Sequence, residues 1–237
     1  MSEGVVLERD TFVGVPGDPV KPSSRGTVFS PALVMISQPL GPQSEAIRGL
    51  RTHIMARHVQ EGRRALALCA ASEDVGCTFI AANLAVALSQ VGVNTLIIDA
   101  DLRRPQLDAL ITPRNPGGGL KHWLSSPEAT FSKAIEADVV PNLSVMHAGG
   151  AAPNAQELLA NDRFSALMGY CLREFDATIV DTPPANTCSD ALRIANVAGY
   201  CLIVSRRDKS FVDDVKTLGK QLEANRARIV GTVLNET

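Results

Sequence analysis

The chain of 237 residues has no apolar run near the roughly 20 residues that a membrane-crossing helix needs; its runs, such as 96–98 and 201–204, are short. Residues 1–10 lack the charged-then-apolar pattern of a secretion signal. The expectation is a cytoplasmic protein that meets a membrane only through a partner. Positive charge is not in surplus either: 23 Lys and Arg face 25 Asp and Glu, for a formal net charge of −2. That removes the broad basic footprint of a nucleic-acid binder. No Cys-x-x-Cys pair exists among the five cysteines, Cys69, Cys77, Cys171, Cys188 and Cys201, which argues against zinc ribbons and redox dithiols. Tyrosine is scarce, with only Tyr170 and Tyr200.

What remains is ordinary for a globular protein: 45% apolar and 20% charged residues, in a chain long enough for one large domain. Residues 1–35 read as a flexible segment, with Pro16, Pro19 and Pro22 among Gly17, Ser23 and Ser24. Residues 36–237 read as the domain. Ala46, Leu50, Ile54 and His58 recur at helical spacing and predict a helix over 43–60. Strands are then predicted at 65–69, 95–99, 142–147, 177–181, 200–205 and 228–234. Helices are predicted at 78–91, 155–174 with a break near Asn161, 190–198 and 212–224. Such alternation predicts an α/β fold, a mostly parallel sheet with helices on both faces.

The first strand leads into Ala71-Ser72-Glu73-Asp74-Val75-Gly76-Cys77-Thr78. A Walker A phosphate loop has Gly, four residues, then Gly-Lys-Ser/Thr between a strand and a helix. Position, spacing, Gly76 and Thr78 fit; the first glycine is Ala71 and the lysine is Cys77. Such a loop works through inward N–H groups at a helix N-terminus, a hydroxyl on Mg²⁺, and a lysine on the β- and γ-phosphates. The first two features are kept here and the third is missing. Glu73 and Asp74 add negative charge that opposes an anionic ligand unless a metal or base lies between. Cys77 is either a reactive thiol activated by the helix N-terminus or a small filler. Taken alone, the segment also reads as an ordinary strand–turn–helix joint.

Two further strands end in aspartate. Leu96-Ile97-Ile98-Asp99-Ala100-Asp101 sets two carboxylates at a strand's carboxyl end, where open α/β sheets bind ligands. Ala177-Thr178-Ile179-Val180-Asp181 ends another, matching a Walker B carboxylate. Asp99, Asp101 and Asp181 are the candidate catalytic carboxylates, and Thr78, Asp99 and Asp181 the candidate Mg²⁺ ligands, since that ion prefers hard oxygen.

Together these segments resemble the cytoplasmic bacterial tyrosine kinases (BY-kinases) of capsule and exopolysaccharide systems, in the deviant-Walker P-loop group. The resemblance spans about residues 36–235. Asp99 to the Arg103-Arg104-Pro105 tail is similar to the family's second Walker motif, A′. Asp181-Thr182-Pro183-Pro184 with Asp190-Ala191 is similar to its Walker B segment, and Pro153-Asn154-Ala155-Gln156-Glu157-Leu158-Leu159 to the segment between. Ala81-Ala82-Asn83-Leu84-Ala85 resembles the helix after the phosphate loop. Gly231-Thr232-Val233-Leu234-Asn235 resembles the last strand, whose asparagine contacts adenine. The resemblance implies nucleotide contacts from Ala71, Ser72, Gly76, Cys77, Thr78 and Asn235. It also implies ring-like homo-oligomers through Glu45-x-x-Arg48-x-x-Arg51, which otherwise reads as a solvated helix face.

The chain departs from the family at Cys77, where relatives carry Pro-Gly-Glu-Gly-Lys-Ser/Thr, and in having no tyrosine-rich tail before Thr237. The resemblance with these departures implies a pseudokinase that scaffolds or regulates a membrane polysaccharide co-polymerase in exopolysaccharide, capsule or adhesin export. Two alternatives stand beside it. One is an active ATP-dependent tyrosine kinase or ATPase, with Arg103 or Arg104 replacing the lysine. The other is a nucleotide-gated assembly switch. ATP or ADP with Mg²⁺ is the expected cofactor if the site works, and none if it is silent.

Overall fold

Short apolar runs bounded by turns form strands when both sheet faces are covered, because every residue then loses its water. The computed structural model describes residues 27–116 and 118–236 and bears this out. A short helix α1 (Val34–Ser37) and a longer α2 (Pro42–Arg57) precede β1 (Ala65–Ala70), α3 (Cys77–Ser89) and β2 (Thr95–Asp99). Next come α4 (Leu120–Ser125), α5 (Phe131–Ala134), β3 (Glu136–Val140) and β4 (Leu143–Met146). The rest is α6 (Ala155–Ala160), α7 (Asp162–Glu174), β5 (Ala177–Asp181), α8 (Asp190–Ala198), β6 (Tyr200–Arg206), α9 (Val212–Ala224) and β7 (Arg228–Asn235). The break near Asn161 is real: its side chain accepts from Arg163 N at 2.9 Å and caps α7.

The strands form one seven-stranded sheet in the order β3-β4-β2-β5-β1-β6-β7. Every neighbouring pair is parallel except β3 with β4. Alternate residues of each strand point to opposite faces. Leu66 and Leu68 of β1 and Ile97 of β2 join α1, α2 and α3 in one core. Ala65, Ala67 and Cys69 with Leu96 and Ile98 join α4 and α6–α9 in the other. α3 is the most enclosed helix, with residues 80–89 all buried. Burying one such side chain contributes about 2 kcal/mol, so Ile80, Leu84, Val86 and Leu88 together hold α3 in its seat.

The expected domain boundary at residue 35 falls inside α1. Leu33, Val34 and Met35 are buried, and Phe29 bridges to Ile111. Buried Asn83 of α3 ties this segment down. Its Oδ1 accepts from Met35 N at 3.1 Å, and its Nδ2 donates to Ala32 O at 3.2 Å. Residues 1–26 of the expected flexible segment lie outside the described residues.

Candidate functional site

β2, β5 and β1 are adjacent and parallel, so their carboxyl ends emerge side by side. Each leads into one of the three segments singled out in the sequence. The register sets Asp181 opposite both Leu68 and Asp99. Between them opens a cleft of about 410 Å³, lined by Ser72, Gly76, Thr78, Asp101, Arg104 and Asn235 among others.

The loop after β1 has the backbone of a phosphate loop. Gly76 sits at φ 88°, where a Cβ would collide with the Asn235 amide. Asp74 holds φ 54°, a left-handed conformation that aspartate tolerates better than most residues. It stands where the family pattern has glycine. Among the described residues no group accepts from a backbone N–H of residues 73–78, so the amides at the start of α3 stay available to an anion. Asn235 supports the loop from its flank, donating from Nδ2 to Val75 O at 3.0 Å. Ala71 is placed behind the cleft, its carbonyl accepting from Asn186 N at 2.9 Å.

Cys77 turns its thiol inward, donating to Leu68 O at 3.3 Å. Burial and the neighbouring Asp181 carboxylate push this thiol well above its usual pKa. Held there with its pKa raised, it supplies no positive charge, which favours the filler reading over the reactive thiol.

The three aspartates separate. Asp101 faces the cleft, its Oδ1 accepting from Arg103 N and Arg104 N at 3.0 and 2.9 Å. Asp181 is buried, and its Oδ2 accepts from the Thr78 hydroxyl at 2.5 Å. Its Oδ1 is buried with no hydrogen-bond partner among the described residues. Asp99 is fully enclosed: one oxygen accepts from Asp101 N and the other from Leu107 N, each at 3.1 Å. In this structure Asp99 shapes the loop after β2 rather than facing the cleft as expected of a metal ligand, because a strand-end carboxylate is well placed to cap the next turn. Burial raises Asp99 well above the usual carboxylate range, with Asp181 adding repulsion. Burial raises Asp181 to about 7, against the hydrogen bond from Thr78.

The residues present fit a phosphate group and a hard cation. The open amides suit the first, while Thr78 and the orphaned oxygen of Asp181 suit the second. Among the described residues no cluster of three or more His, Cys, Asp or Glu forms a ready metal cage. Mg²⁺ does not require one, since it keeps waters and takes oxygens from a bound phosphate.

Sequence reasoning passed over several contacts here. Arg103, a candidate replacement for the lysine, is committed to buried Asp190, with Nε donating at 2.7 Å and Nη2 at 3.3 Å. Glu73 pairs with Arg104, and Asp74 with Lys209. The acidity of the loop was the available signal, since such charges call for bases nearby. In α2, Glu45 and Arg48 form an ion pair at 3.2 Å, and Arg51 donates to Ala87 O of α3 at 3.2 Å.

No protein-family model matches the chain. It is 31% identical over 214 residues to CapB of Staphylococcus aureus, which carries the name of a tyrosine-protein kinase, covering 90% of this chain and 92% of CapB. It is 30% identical over 203 residues to the tyrosine-protein kinase Wzc of Salmonella typhimurium, covering 86% of this chain but 28% of Wzc. Among solved structures, the kinase domain of the Escherichia coli tyrosine kinase Etk matches with a TM-score of 0.80 at 30% identity, covering 86% of this chain and 80% of that one.

Proposed function

The chain belongs to the bacterial tyrosine-protein kinase family, and on that premise we propose that it is a pseudokinase, which keeps the nucleotide fold without phosphoryl transfer. The observation that carries this reading is Cys77, whose thiol turns into β1 at the position of the catalytic lysine. Phosphoryl transfer is catalysed almost wholly by positioning and by charge on the moving group. The open amides of residues 73–78 bind and orient a phosphate chain. Mg²⁺ held through Thr78 and Asp181 would supply further positive charge there. Asp101 faces the cleft at the place of a base. Without the lysine, no side-chain cation bridges the β- and γ-phosphates across the bond that transfer would break.

The role that follows is cytoplasmic scaffolding or regulation of a membrane polysaccharide co-polymerase in capsule, exopolysaccharide or adhesin export. Homo-oligomers form through the α2 face that carries Glu45 and Arg48, with Arg51 of the same motif turned to α3 within the chain. Family membership and the exposed carboxylate of Glu45 support this reading.

Calorimetric titration with Mg-ATP, beside phosphotyrosine and phosphate-release assays, tests the proposal. Cys77→Lys is expected to tighten Mg-ATP binding by about tenfold, on the scale of one charge-assisted contact. The native chain should yield no phosphotyrosine. Turnover by the native chain sinks the proposal, as does an unchanged affinity in the variant.

A further inference from the structure

Two ion pairs end on the phosphate loop, one from Arg104 in the cleft lining and one from Lys209 just outside it. Arg104, from the turn after β2, pairs with Glu73. Lys209, from the turn between β6 and α9, places Nζ 3.1 Å from the Asp74 carboxylate. The neighbouring Arg206 braces the same residue, donating to Asp74 O at 3.0 Å. The two cations therefore reach the loop from opposite sides. Lys209 arrives because β6 is the sheet neighbour of β1.

Neither cation is locked. The side chains of Arg104 and Lys209 are 62% and 41% exposed, and those of Glu73 and Asp74 are 43% and 58% exposed. Exposed pairs of this kind are weak and exchange partners readily. Arg103 differs, because its partner Asp190 is 1% exposed and holds it with two hydrogen bonds. Both cations end on the loop whose amides, at residues 73–78, donate to no other group among the described residues. The centre of the site is thus prepared for an anion, while the charge expected at position 77 stands at its rim.

We propose that Arg104 and Lys209 are the phosphate-binding cations of this chain, resupplying from both rims the charge lost at Cys77. Glu73 and Asp74 serve as placeholders: they hold the two cations at the loop until the phosphate chain of a nucleoside diphosphate or triphosphate displaces them. A phosphate chain carries more charge and more acceptor oxygens than one carboxylate, so the exchange runs towards the ligand. The exposed carboxylates then turn outward into water. Cations at the rim bind a phosphate chain without bridging the bond that transfer would break. The inference rests on reading the cleft as a nucleotide site, and it makes that site a binding module.

The test is calorimetric titration of the full chain with Mg-ADP at two salt concentrations. Arg104→Met and Lys209→Met should each weaken ADP binding by about tenfold and flatten its salt dependence. Arg104→Lys should keep most of the affinity. Glu73→Gln with Asp74→Asn should tighten binding, because the cations are freed in advance. Unchanged melting temperatures in these exposed variants separate lost contacts from lost fold. The proposal is overturned if the methionine variants bind like the native chain, or if neutralising both acids leaves the affinity unchanged. A native chain that binds no ADP at millimolar ligand overturns it as well. None of these failures touches the absence of phosphoryl transfer, which the phosphotyrosine assay decides separately.

Discussion

Asp181 lies next to Asp99 in the sheet register, and both carboxyls have lost their water. Its folded pKa stands at about 7, whereas an unfolded aspartate titrates near about 3.9. Between those values the folded state holds more protons than the unfolded chain, so stability falls as pH rises through that window. Asp181→Asn removes the penalty. Its melting temperature should exceed the native value at pH 7.5, and the gain should shrink towards pH 4. An equal gain at both pH values would count against this assignment. Cys77 gives a second test. With its thiol raised by burial and by Asp181, it should resist iodoacetamide at neutral pH in the folded protein and react on denaturation. Rapid labelling of the native chain, read by mass spectrometry, would make it the activated thiol after all.

Among the elements, α3 is the most dependent on its contacts, since it begins at the phosphate loop and ends under α2. Asn83 is its polar anchor. Asn83→Ala removes the acceptor for Met35 N and the donor to Ala32 O. It should cost about 1–3 kcal/mol, because the Met35 amide is left buried and unpaired; urea unfolding reads this directly. The strands buried on both faces were legible in the sequence as continuous apolar runs. β3 was not, because it is an edge strand whose Glu136, Ala137 and Asp138 keep some contact with water. The three motifs were legible because each follows its own strand. Their separate duties were not. Asp99 and Asp181 end their strands alike, and only tertiary hydrogen bonds from Leu107 N and Thr78 tell them apart. Arg103 with Asp190 and Lys209 with Asp74 are separated by 87 and 135 residues. No local pattern marks such pairs; sheet order creates them.

For the whole molecule, the open question of scale is assembly. Arg51 is partly desolvated and bound to Ala87 O, so it fastens α2 to α3 within one chain. The Glu45 side chain, paired with Arg48, is 78% exposed and within reach of a neighbour. In sedimentation velocity, Glu45→Lys should shift the oligomer to smaller species without lowering the melting temperature. A native chain that stays monomeric at 100 µM or so, well above usual oligomer dissociation constants, would remove α2 as an interface.

The hold of α3 on residues 32–35 also has a practical corollary for protein engineering. A domain trimmed to begin at residue 38 leaves Asn83 stranded and strips Leu33, Val34 and Met35 from the helix they cover. The greasy surface so uncovered adjoins the root of the phosphate loop. Such a shortened protein should accumulate in inclusion bodies, while one beginning at residue 27 should stay in the supernatant.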